Sequence, residues 1–227
     1  MTEAIDSDDP FEQLLEGVSR FRDSVFPERR GQFAKLASGQ HPHTLFITCA
    51  DSRVVPEMIT QTDPGDMFVC RNIGNIVPAY GEMLGGVSAI IEYACVALGV
   101  SHIVICGHSD CGAMKGLLQA DDPTLRRMPT VSSWLRNAEA ARSVVEALQP
   151  DLAGPGKVQA LVEQNIRLQL QHLRTHPSVA ARVADGSLKL HGWLYDIENG
   201  AVTTMDEAGG PPQPLGAARD KPVPETT

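Results

Sequence analysis

The sequence predicts an α/β fold: a mainly parallel central β-sheet flanked by helices, with an N-terminal helical arm. Three observations carry this reading. Short apolar runs rich in β-branched and aromatic residues, at 44–49, 67–70 and 102–106, read as strands buried on both faces. Helical periodicity separates them, most clearly over 85–99, where Val87, Ile90, Ile91, Ala94, Cys95 and Leu98 fall on one face. Buried strands that alternate with helices imply a parallel sheet, because parallel neighbours need long crossover connections.

Each element has its own local cause. Asp9-Pro10 supplies an N-cap followed by proline at the first helical position, and Phe11, Leu14, Leu15, Val18 and Val25 then recur at helical spacing, so a helix is expected over 10–26. A second short helix over 29–38 ends near Gly39, and the two make an arm of about residues 10–38. After strand 44–49, the turn signal Asp63-Pro64-Gly65 precedes strand 67–70. Gly85-Gly86 opens the periodic helix and Gly99 closes it. Strand 102–106 runs into Gly107-His108-Ser109-Asp110-Cys111-Gly112, with a helix from 111 to about 119. Helices over 130–148 and 156–175 are separated by 150–156, and Pro177 starts another short one. Residues 188–196 alternate as a strand does, and Asn199-Gly200 marks a hairpin turn into 201–205. Residues 1–206 read as one domain, and the Gly/Pro-rich 207–227 as a poorly ordered tail.

Composition narrows the function classes. With 42% apolar and 21% charged residues in 227, an ordinary core is possible and global disorder is excluded. The net charge of −9 repels a phosphate backbone, so nucleic-acid binding is not expected. No apolar run approaches the roughly 18–20 residues of a membrane span. The acidic start, M-T-E-A-I-D-S-D-D-P, has neither the basic opening nor the apolar stretch of a secretory signal, so a cytoplasmic protein is expected. Five cysteines, an odd count in such a chain, argue against a disulfide framework. They read as core fillers, metal ligands or nucleophiles.

Two segments carry chemistry. Cys49-Ala50-Asp51-Ser52-Arg53 follows one strand, and His108-Ser109-Asp110-Cys111 follows another. In α/β folds ligands sit beyond the carboxyl ends of the strands, which is where both segments fall. The H-x-x-C pair in its Gly-flanked turn lets two borderline or soft ligands reach one ion, and Cys49 from a neighbouring strand end adds a second thiolate. Two thiolates and an imidazole suit zinc, and three protein ligands leave a fourth position open for catalysis. A lone H-x-x-C is a weak signal, and Cys49 alone reads equally as a core residue. Asp51 and Arg53 strengthen it, since two charges just past a buried strand are costly unless paired or functional. Cys70, Cys95 and Cys106 lie inside apolar runs and read as core.

Together the segments resemble the β-class carbonic anhydrases, most closely the bacterial type found beside cyanate-degrading enzymes. The resemblance spans about residues 10–206, anchored by C-A-D-S-R at 49–53, R-N-I-G-N at 71–75, G-G-V-S-A-I-I-E-Y at 85–93 and G-H-S-D-C-G-A at 107–113. It implies zinc-dependent, reversible hydration of CO2 to bicarbonate and a proton, with one Zn2+ per chain. Cys49, His108 and Cys111 match the family's zinc ligands, and Asp51 and Arg53 its carboxylate–guanidinium dyad. By that likeness, zinc-bound hydroxide attacks CO2, oriented by Asp51 while Arg53 holds it. If the dyad breaks, Asp51 can swing onto the metal and close the site. Gln40 resembles the family's glutamine that donates to substrate across a dimer interface. Phe68, Ile73 and Tyr93 match positions lining a small apolar CO2 site, and the Gly112 amide is expected to face substrate oxygen. His41 and His43, near the expected rim, are candidate proton shuttles, with surface histidines as the plainer reading.

The amphipathic N-terminal helix resembles the family's arm, which packs on a partner subunit, so a homodimer or higher homo-oligomer is expected. Three departures stand out. Allosteric members carry a Trp where this chain has Phe46, which implies that the noncatalytic bicarbonate site is lacking and the dyad is paired at neutral pH. Ala50 stands for a commoner Ser, and Ile73 for a commoner Ala, which tightens the pocket. Three other classes compete: a carbonyl sulfide or carbon disulfide hydrolase on the same scaffold, a non-enzymatic zinc or bicarbonate binder, and a metal-free cysteine hydrolase. Side-by-side turnover and metal analysis separate them.

Overall fold

The computed structural model describes residues 9–82, 85–119, 122–207, 210 and 212–216. The chain divides into two compact units, Met1–His41 and Pro42–Thr227. The first contains the arm. Helix α1 (Pro10–Arg20) begins where expected: the Asp9 side chain accepts the Phe11 N–H at 2.9 Å, and Pro10 occupies the first turn. A π-helical turn (Phe21–Val25) leads to α2 (Phe26–Glu28) and α3 (Arg30–Leu36). Phe21, Phe26 and Phe33 pack ring against ring, with centroids 5.3–6.1 Å apart. The α1 stripe of Phe11, Leu14, Leu15 and Val18 faces solvent.

The second unit is built on six strands in the order β2-β1-β3-β4-β5-β6: β1 (Thr44–Cys49), β2 (Met67–Asn72), β3 (His102–His108), β4 (Lys189–Tyr195), β5 (Val202–Met205) and β6 (Gln213–Pro214). The first four in that order are parallel, and β5 and β6 add antiparallel at one edge. The expected α/β fold with a mainly parallel sheet is therefore what forms. β1 and β3 are buried throughout, β3 apart from its half-buried first residue His102, as expected for strands covered on both faces. Period-two alternation sends Leu45, Ile47, Ile103 and Ile105 into the main core and Phe46, Val104 and Cys106 to the opposite face, where Trp193 and Met67 cover them.

Eight helices flank the sheet among the described residues: α4 (Pro56–Thr60), α5 (Gly86–Tyr93), α6 (Gly112–Leu118), α7 (Pro123–Arg126), α8 (Pro129–Leu135), α9 (Glu139–Leu148), α10 (Gly154–Thr175) and α11 (Pro177–Ala184). The periodic stretch over 85–99 forms α5 and then a π-helical turn, Ala94–Leu98, closed by Gly99 in the left-handed region. The helix expected over 130–148 breaks into α8, a 3-10 turn and α9. Its cause is local: the Asn137 amide donates to the Trp134 carbonyl at 2.8 Å, and Ala138 leaves helical geometry at φ −111°. α10 lies so close to the sheet that a Cβ on Gly107 or on Gly192 would stand 2.9 Å from the Ile166 side chain. Most of the segment read as a tail, 207–227, lies outside the described residues. Within the described part, Gln213–Pro214 pairs with β5.

One buried and one half-buried histidine make stability pH-dependent. His176 is 2% exposed and its Nε2 pairs with the Pro78 carbonyl at 3.0 Å. Burial holds His176 and His191 below the ordinary 6.5. The unfolded chain therefore binds more protons than the folded one once pH falls below about 6.5. Stability is full above that pH and is lost as pH falls toward the depressed folded values. The urea midpoint should drop between pH ~7.5 and ~5.5, and His176→Gln should flatten that slope.

Candidate metal centre

The topology places the site. From β1 the chain moves to β2 on one side and then to β3 on the other, so the carboxyl ends of β1 and β3 border the point where the winding reverses. Cys49 is the last residue of β1 and His108 the last of β3. Beyond His108 the backbone turns through Asp110, at φ +58°, and returns Cys111 to the N-cap of α6. This turn brings three donor atoms together: the Cys49 and Cys111 sulfurs and a His108 nitrogen lie within 4.8 Å of one another, all on buried residues. No other such trio occurs among the described residues.

The His108 ring is oriented as a ligand. Its Nδ1 pairs with the Ser109 carbonyl at 2.8 Å, so Nδ1 carries the proton and Nε2 presents a lone pair. His108 is 0% exposed and Nε2 has no hydrogen-bond partner. A buried, orphaned imidazole nitrogen facing two thiols is costly by itself and fits a bound ion. A tetrahedral zinc would need donors roughly 3.5–3.8 Å apart, a spacing within the observed limit. The residues present fit the metal that the donor chemistry implies.

The sulfurs are tuned against each other. Hydrogen bonding from the Cys111 thiol, assisted by the Gly74 and Asp51 amides, holds the Cys49 thiol below its ordinary range. Cys111 is raised in turn, mainly by its bond to Cys49, although the Met114 and Ala113 amides favour its thiolate. Cys70, Cys95 and Cys106 are different. All are buried and raised by burial, Cys106 to about 12, so they stay protonated core residues as expected.

Beside the trio stands the carboxylate–guanidinium pair. Asp51 Oδ1 accepts from Arg53 Nε at 2.9 Å and from the Arg53 backbone N–H at 3.0 Å, and Oδ2 accepts from Nη2 at 2.8 Å. The Arg53 guanidinium holds the Asp51 carboxyl well below the usual carboxylate range. Asp51 Oδ2 is 3.9 Å from His108 Nε2, so the ionised carboxylate overlooks the donor trio. Arg71 supports the turn from beneath: Nε donates to the Cys49 carbonyl at 3.2 Å and Nη2 to the Asp51 carbonyl at 2.6 Å.

The family model described as carbonic anhydrase matches residues 44–202, which include the trio and the pair. This chain belongs to the carbonic anhydrase family. It is 49% identical to a carbonic anhydrase of Pseudomonas aeruginosa over 195 residues, covering 86% of this chain and 87% of that one. Its fold superposes on the β-carbonic anhydrase CcaA with a TM-score of 0.88 at 43% identity, over 91% of this chain and all of that one. It also resembles the tetrameric β-carbonic anhydrases of Sordaria macrospora, at TM-score 0.77 and 31% identity over 86% and 96% of the two chains. The family is one of lyases, carbonate dehydratases by class, and this member carries the β-class fold.

The remaining residues singled out from the sequence are distributed around this centre. Phe68 on β2 packs ring to ring with Tyr93 at the end of α5, centroids 5.9 Å apart. Tyr93 is 50% exposed and Ile73 41%, so this apolar wall faces outward. Gly112 opens α6 and is exposed. Gln40 belongs to the N-terminal unit and is exposed. His43 precedes β1, whose far end carries Cys49. Six extended residues, a span of roughly 20 Å, separate it from the centre of its own subunit, so a shuttle role there is corrected.

Several residues with no motif of their own support the centre. Trp134 Nε1 donates to the Ile73 carbonyl at 2.8 Å. Asn165 donates to the Gly74 carbonyl at 3.0 Å, and Gln169 accepts the Val77 N–H at 2.9 Å. These bonds pin the Ile73–Asn75 turn whose Gly74 amide faces Cys49. Asn165 and Gln169 could have been found: they are polar residues one turn apart, bonded to each other and buried on the apolar face of α10.

Proposed function

We propose that this chain catalyses the reversible hydration of CO2 to bicarbonate and a proton, holding one zinc ion through Cys49, His108 and Cys111. The observation that carries the reading is the orphaned, buried Nε2 of His108 among two thiols, overlooked by an ionised carboxylate. A zinc ion held there would act as a Lewis acid that lowers the pKa of water toward neutrality. The chain's own groups do the rest. Asp51, fixed by Arg53 from one side, is an acceptor only, and it orients a proton-bearing oxygen on the His108 side. The Phe68–Tyr93 wall with Ile73 suits an uncharged substrate that hydrogen-bonds weakly. The Gly112 amide, at the start of α6, is assigned to substrate oxygen.

The complete unit is a homodimer or higher homo-oligomer in which Gln40 reaches a partner's site and the apolar stripe of α1 covers a partner's surface. The tetrameric relatives of Sordaria macrospora support this assembly. The protein is read as cytoplasmic, and among the described residues no helix is long and apolar enough to cross a membrane. Phe46 in place of the allosteric Trp goes with a dyad that stays paired at neutral pH.

Stopped-flow CO2 hydration as a function of pH, with zinc measured on the same sample, tests the reading. About one zinc per chain and hydration far above background are expected. Carbonyl sulfide turned over faster than CO2 would move the assignment to a sulfur-analogue hydrolase. Zinc without hydration across pH ~6–9 would make the protein a binder.

A further inference from the structure

Arg53 is held at both edges of its guanidinium. Nε and Nη2 grip Asp51, while Nη1 faces Asp110 Oδ2 at 3.4 Å. The other Asp110 oxygen pairs with Lys115 Nζ, one turn into α6. Asp110 sits between His108 and Cys111, so the loop that delivers two donor residues also delivers this carboxylate. We propose that Asp110 is a positioning residue for the reaction: steadied by Lys115, it holds the outer edge of Arg53 so that the inner edge stays on Asp51. The inference rests on the hydration reading above.

The physical need is plain. Arg53 is a long side chain, 45% exposed, with rotamer freedom to lose. A planar fork held on one edge can still swing about that edge. A second acceptor on the opposite edge fixes its plane. Fixing Arg53 fixes Asp51, and with it the direction of the oxygen that Asp51 orients. Asp110 is itself drawn below the ordinary carboxylate range, first by Lys115 and then by Arg53, in keeping with its standing between two cations. With 57% of the Asp110 side chain exposed, the effect is that of a partly exposed ion pair and is screened by salt.

The backbone supplies the control. Asp110 lies at φ +58°, a region that Gly and Asn also enter readily. Asp110→Gly and Asp110→Asn therefore keep the turn and remove the charge. The test compares the zinc-loaded wild type with both variants in kcat/KM for CO2, in salt response, in zinc content, and in the Arg53–Asp51 contact seen in crystal structures. We expect kcat/KM, which covers attack on CO2, to fall about three- to fivefold. Zinc should be unchanged, Arg53 should be partly displaced from Asp51, and the response of the wild type to ~0.5 M salt should be lost. Wild-type kcat/KM with Arg53 in place in both variants would overturn the proposal and leave Asp110 as a turn residue. So would a loss of activity that only follows a loss of zinc. A wild type that binds zinc but hydrates no CO2 would sink the hydration reading instead, while the Arg53 contact in the variants would still decide the clamp.

Discussion

Replacing Cys49 with alanine is expected to remove, on the proposed reading, zinc and CO2 hydration together. The ion's grip would fall to one thiolate and one imidazole, with His108 Nε2 still buried and without a protein partner. Zinc content should drop from about one per chain to a small fraction, and kcat/KM by more than about a hundredfold. The fold should survive. Cys49 is 5% exposed at the end of a strand, and trimming one sulfur from such a place costs about 1 kcal/mol. Metal analysis, hydration kinetics and a urea melt on one preparation check this. Full zinc occupancy in Cys49→Ala would refute the ligand assignment whatever the activity.

Asp51→Asn separates metal binding from turnover. The amide keeps the shape of the carboxylate but loses its charge and cannot accept on both arms of the Arg53 fork. Zinc should stay near one per chain, while kcat/KM falls about a hundred- to a thousandfold, the cost of losing one oriented polar group at a reacting centre. Stability should move by less than about 1 kcal/mol, because Arg53 is half exposed and water replaces its partner. A plain structural salt bridge predicts the reverse, with a measurable stability loss and intact hydration. The two outcomes cannot be confused.

Much of this fold is legible in the sequence. Strands β1 and β3 announce themselves as short β-branched runs, and their burial on both faces follows from that pattern. The α5 stripe and the Asp9-Pro10 cap are equally local signals. What escaped was short or cooperative. α4 and α7 are five and four residues long, too short for a periodic stripe. The break between α8 and α9 depends on one side chain competing for a backbone carbonyl, which helical periodicity does not reveal.

The candidate site divides the same way. His108 and Cys111 are three apart in one turn, so their approach is a local property, and Asp51 and Arg53 are two apart in another. A residue's chemistry and its distance along a short loop are written in the chain. That Cys49 joins the His108–Cys111 pair, that Arg71 cradles the Cys49 turn and that Asp110 faces Arg53 were decided by strand order. Side chains far apart in sequence meet only through the order and register of the strands, and that register is the sum of many weak packing choices rather than the property of any one segment.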